Sequence, residues 1–143
     1  MTKDFMKDFL MAAVGITGSC IALAFGGWDT ALQTLVIFMA IDFLSGLAVA
    51  GIFKKSKKSD TGALNSACSW QGLAKKGMLL FIVLVSYRLD LIIGSEFIRT
   101  AVIIAFISNE LLSIAENAGL MGIPMPPALY RAIDILNSKG EVT

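Results

Sequence analysis

TAVIIAFISNELLSIAEN, residues 100–117, decides what kind of fold this chain has. Its opening, TAVIIAFI, is built for hydrocarbon. Asn109, Glu110, Glu116 and Asn117 then arrive with no break in the helical spacing. Asn109, Ser113 and Glu116 recur at i, i+4, i+7, and Glu110, Ser113 and Asn117 at i, i+3, i+7. The two rows share Ser113 and form one broad polar stripe. Ile107, Leu111, Leu112 and Ala115 occupy the other, apolar side. The pattern predicts a helix with one face for lipid and one for water or hydrogen-bonding partners.

The whole chain agrees with a membrane reading. Hydrophobic residues make up 56% and charged residues 16%, where soluble domains have about 25% charged. Mean hydropathy is +0.75. A net charge of +1 gives no electrostatic footprint for nucleic acid, so no such partner is expected. Histidine is absent, which removes the commonest proton shuttle and metal ligand. Cys20 and Cys68 lie far apart, one in an apolar run and one in a polar stretch. Neither a disulfide nor a metal site is expected from them. No nucleophile stands beside a base and no glycine-rich phosphate loop occurs, so neither a cofactor nor an enzymatic reaction is expected.

A spanning helix needs about 20 mostly apolar residues. Four segments approach this, at about 9–27, 30–53, 77–94 and 97–116. They predict an all-α integral membrane protein, a single domain over 1–143, with four transmembrane helices. Three spans, with the last segment lying in the interface, is the alternative. The N-terminal run resembles a signal peptide, but Asp4 and Asp8 sit beside its lysines and a second apolar run follows closely. It is therefore read as retained. After GIPMPP, which stops a helix, residues 126–139 place Leu129, Ile133 and Leu136 on one face. This predicts an amphipathic helix on the membrane surface or against a partner.

Orientation follows from basic residues. The loop 54–76 carries Lys54, Lys55, Lys57, Lys58, Lys75 and Lys76. Lys3 and Lys7 precede the first span, and Arg131 and Lys139 follow the last. Four spans put all of these in the cytoplasm, with both termini. The loop lysines also suit the anionic lipid surface.

Asp42 falls near the middle of the second segment, where a charge costs about 2.5–3.5 kcal/mol to insert. It should face protein or water. Asp42, Gly46 and Ala50 share one helix face, an acid in line with small residues that admit a neighbouring helix. Gly18, Ala22 and Gly26 form a similar stripe in the first segment. Arg88 and Asp90 are two apart and cannot pair with each other on one helix. Asp90 is expected to meet another helix or water.

Several of these residues together resemble a family of phage holins. IDFLSG, with Asp42 and Gly46, is similar to its D-x-x-[TS]-G signature. Ser69 with QGLAKK, Asp90 at the end of the third segment, and NELLSIAEN followed by GIPMPPAL are similar to later elements of the family pattern. The resemblance covers about residues 35–135 and leaves the middle loop from Ser59 to Ala67 unmatched. It implies a lysis protein of phages of Gram-positive bacteria, or a clostridial toxin-secretion holin. Such a protein forms high-order homo-oligomers in the host cytoplasmic membrane and opens a large timed pore. An endolysin or toxin then crosses, without direct contact being required. On this view Asp42, Gly46, Ala50, Asp90, Asn109, Glu110, Ser113, Glu116 and Asn117 serve helix packing and the pore. The alternatives are a small four-span proton-coupled exporter and a membrane scaffold that forms no pore.

Overall fold

The computed structural model describes residues 2–141. Five α-helices follow one another: α1 (Thr2–Ala24), α2 (Thr30–Ala48), α3 (Ser66–Ile93), α4 (Ile98–Leu120) and α5 (Pro127–Glu141). A π-helical turn, Val49–Phe53, prolongs α2, and no strand occurs among the described residues. The all-α expectation holds. Local chemistry sets the helix starts. The Asp29 carboxylate accepts from the Leu32 amide at 2.9 Å and opens α2, and the Asn65 side chain accepts from Ala67 to open α3. That cap shortens the basic loop to residues 54–65. Lys75 and Lys76 therefore ride on α3 and not on the loop.

Helix α4 is the centre of the bundle, packing against α2, α3 and α5. Leu32, Leu35 and Met39 from α2, Val83 from α3, and Ile103 and Ile107 from α4 form the core. Ile107, Leu111 and Ala115 are all buried and only Leu112 is exposed. This corrects the lipid-facing role expected for that side. A helix flanked by three others has little lipid-facing surface left.

Helices α2 and α4 run side by side in the same direction. Arg99, at the start of α4, reaches Asp29 at the start of α2, and Asn117, near the end of α4, reaches Asp42 and Ser45. Three helical segments are long and apolar enough to cross a membrane: Thr2–Ala24, Thr30–Phe53 and Ile98–Leu120. Helix α3, which the sequence reading counted as a fourth, is not among them. At 28 residues it is long enough, but it carries Lys75, Lys76, Arg88 and Asp90.

Helix α1 stands apart, with no buried residue. It joins the bundle through Gly26 and Gly27, both at positive φ. A Cβ on Gly26 would lie 2.7 Å from the Tyr87 ring and 3.2 Å from Arg99 Nε. Gly26→Ala is therefore expected to lower the thermal stability of the detergent-solubilised chain by about 1–3 kcal/mol. A melting curve superimposable on the wild type would show that this approach is not required.

Candidate functional site

Three helices bring charge together in the interior. Lys76 Nζ of α3 donates to Asp42 Oδ2 of α2 at 2.8 Å and to Glu110 Oε2 of α4 at 2.5 Å. Asn117 Nδ2 donates to Asp42 Oδ1 at 3.0 Å, to the Asp42 carbonyl oxygen at 3.3 Å and to Ser45 Oγ at 2.9 Å. Asp42, Glu110 and Asn117 are buried, and no buried side-chain nitrogen or oxygen among the described residues lacks a partner. The rise from Thr30 to Asp42, and equally from Ile98 to Glu110, is about 18 Å. That is more than half of the roughly 30 Å that a crossing helix must cover. One ammonium clasps three helices, and formal charges leave one surplus negative charge.

The polar stripe of α4 is split by this arrangement. Glu110 and Asn117 turn inward to the clasp, while Asn109 and Glu116 are exposed and Ser113 is half-buried. Both rows line a cavity of about 500 Å³, together with Asp42, Gly46 and Ala50. Gly46 lies close to Asn117, since a Cβ there would meet its Nδ2 at 3.8 Å. Asp42, Gly46, Ala50, Asn109, Glu110, Ser113, Glu116 and Asn117 are therefore gathered in one place.

Asp90 is not with them. It lies at the opposite end of α3, where it accepts from Ser95 Oγ and from the amides of Ile98 and Arg99. It caps α4 from a neighbouring helix, a task that Phe97, at the cap position, does not perform. Arg99 ties this end together. Its Nε donates to the Phe25 carbonyl at 2.5 Å, its Nη2 to that of Gly27 at 3.2 Å, and its Nη1 to Asp29 Oδ2 at 2.6 Å. The guanidinium holds the Asp29 carboxyl below its ordinary value of 3.8.

Sequence reasoning missed two of these roles. Lys76 was grouped with the topology-setting, lipid-facing lysines, yet its side chain turns inward, drawn by two buried carboxylates. Arg99 and Asp29 were given no role. The signal for Arg99 was its place beside a turn that itself holds no lysine or arginine.

The tail helix also differs from expectation. It folds back along α4: Ile133 is buried, Leu136 packs on the core, and Ser108 Oγ donates to Asn137 Oδ1. The outward side of α5 exposes Arg131 and Asp134. Leu129, expected on the apolar face, remains exposed.

A family model for the bacteriophage holin family matches residues 19–138. A 14.9 kDa protein from the nagH 3'region of Clostridium perfringens is 35% identical over 124 residues, covering 85% of this chain and 88% of its own. The protein Lmo0128 of Listeria monocytogenes is 35% identical over 123 residues, or 85% and 82% of the two chains. A probable holin of Bacillus phage phi105 is 26% identical over 111 residues, or 77% and 76%. No solved structure matches the chain at a significant level.

Proposed function

The chain belongs to the bacteriophage holin family, and from that premise we propose that it acts as one. Copies accumulate in the cytoplasmic membrane of a bacterial host, assemble, and at a set time open a lesion wide enough for an endolysin, or a toxin, to cross. It carries out no reaction and needs no cofactor. The parallel run of α2 and α4 supports four crossings, because the chain between them must return through α3. The lysines of residues 54–65 support a cytoplasmic placement of that loop, and Lys3 and Lys7 support that of the N-terminus.

The observation that carries the reading is the clasp. Buried ionised groups at membrane depth are costly unless paired, and here they pair within one chain. In the closed state Lys76, Asp42, Glu110 and Asn117 satisfy one another. In the open state the same groups line water, so one set of side chains serves both states. The charged outward side of α5 supports this, since Arg131 and Asp134 suit water better than lipid. Helix α1, which buries nothing in its own chain, supplies surface for self-association.

Interhelix contacts in lipid are worth about 0.6–2 kcal/mol each, about 3- to 30-fold in a closed-to-open equilibrium. Asp42→Ala or Glu110→Ala is expected to shift the onset of lysis or abolish it. Unchanged timing at equal expression would remove both residues from the mechanism. The test of the function itself is induced expression with a co-expressed cytoplasmic endolysin, following membrane potential and lysis. Abrupt depolarisation followed by endolysin-dependent lysis is the expected result. Depolarisation without lysis would mean a pore too small for an enzyme. An unaltered potential would overturn the pore reading.

A further inference from the structure

Helices α2 and α3 scarcely touch. Between their halves nearest the basic loop lies the cavity of about 500 Å³, a volume typical of small-molecule sites. Its walls include Phe43 and Leu47 on one side and Met78 and Leu79 on the other. Its rim carries Lys57, Lys58 and Lys75. None of these three pairs with a carboxylate among the described residues. We propose that this cavity binds one anionic phospholipid of the surrounding bilayer, with its phosphate on the lysine rim and an acyl chain between α2 and α3.

The charges facing the space favour an anion at the rim. At the floor, Asp42 and Glu110 are already taken by Lys76. Glu116 is the remaining acid in the lining, against three unpaired lysines. Asp60, on the same loop, does not line the cavity. The lysines also stand at the right level. Lys75 and Lys76 together precede the apolar run of α3; Lys76 turns inward, which leaves Lys75 to meet a lipid phosphate, and lysines at that level attract anionic lipid.

The roof is folded. Ser56 N–H donates to the Gly62 carbonyl, Ser59 Oγ to that of Ala63, and Cys68 Sγ to that of Lys58, which fastens the loop to α3. Gly62 has φ +70, and a Cβ there would collide with the Lys54 carbonyl. The α2 wall is modified at the same place. Its π-turn puts Val49 and Ala50 in the lining, and such turns are frequent at functional sites. A cavity that sets Phe43, Leu47, Met78 and Leu79 beside a cationic rim fits an amphipathic anion of the bilayer better than a free one.

The test uses the full chain purified in mild detergent and challenged with phosphatidylglycerol or phosphatidylcholine, with retained lipid counted by native mass spectrometry. One phosphatidylglycerol per chain, and no phosphatidylcholine, is expected. Lys57→Ala with Lys58→Ala and Lys75→Ala should lower its affinity on the order of a hundredfold. Lys54→Ala with Lys55→Ala removes charge from the same loop outside the lining and should change little. Gly72→Phe, at a lining position where a Cβ meets nothing within 4 Å, should fill the slot and lower retention with every lysine intact. Retention unaltered by Gly72→Phe, or displaced equally well by glycerol phosphate, would identify a site for free anions and overturn the proposal. So would equal retention of both lipids, or of either by the triple variant. Helix content by circular dichroism shows that each variant is folded. Lysis is not the readout, so this proposal and the pore reading fail independently.

Discussion

Lys76→Met is expected to destabilise the bundle by about 3–5 kcal/mol, the penalty for leaving one side of a buried ion pair unmatched. Here it leaves two carboxylates, Asp42 and Glu110, buried with their cation removed. Neither helix can turn its acid away, because α2 and α4 are packed along their length and Asn117 holds Asp42 from the other side. Methionine keeps the length and apolar stem of lysine, so the effect reads the ammonium and not a cavity. Thermal unfolding of the detergent-solubilised chain, followed by circular dichroism, measures it. Adding Asp42→Asn and Glu110→Gln to Lys76→Met should restore most of the loss, since neutral amides can satisfy one another. In the host, the single variant should lyse early or fail to accumulate. If Lys76→Met melts like the wild type, the clasp does not hold the helices together.

Arg99→Ala should have the second largest effect, about 3 kcal/mol, because it removes charge-assisted hydrogen bonds worth about 1.5–3 kcal/mol apiece. Three acceptors lose their donor: the carbonyls of Phe25 and Gly27 and the Asp29 carboxylate. The first two end α1, so the substitution releases that helix without unmaking it. The expected signature is a rise in protease cleavage at residues 25–29, with the core of α2, α3 and α4 still protected. Asp29→Asn removes only the ion pair and should do less, as Asp29 itself is half exposed. The pair also carries a pH dependence. A carboxyl with a lowered folded value stabilises the fold at pH above its ordinary 3.8, and that contribution fades as pH falls below it. Acidification through this window should raise cleavage at residues 25–29 in the wild type but not in Asp29→Asn. Equal protection of Arg99→Ala and wild type would show that the guanidinium does not hold the junction.

Much of the helical layout was legible because it depends on local pattern. Apolar runs and the GIPMPP stop placed four of the helices to within a few residues, apart from the start of α1. Asp42 and Glu110 were visible as acids too deep to be idle. What escaped was their partner. Lys76 follows Lys75 in a basic stretch, and nothing local distinguishes the lysine that points inward from the one that points out. That difference is made by Asp42 and Glu110, each 34 residues away in sequence. The same limit hid Arg99, whose acceptors lie 70 to 74 residues earlier. The α5 segment was read as amphipathic, but a single chain gives no sign of whether such a face meets lipid or its own neighbour. Asp90 was placed by its order in the chain, yet its task as a cap for the following helix depends on the turn at Gly94.

A helix joined to its bundle at its C-terminal end, through Phe25, one glycine pair and one arginine, has a further consequence. No side chain of α1 is buried in the bundle to fix its azimuth. Subunits linked through such arms can meet at many angles, so their array has no built-in curvature. On the proposed pore reading, the perimeter such an array encloses follows from how many copies have gathered, and holes made by one sequence should span a wide range of diameters.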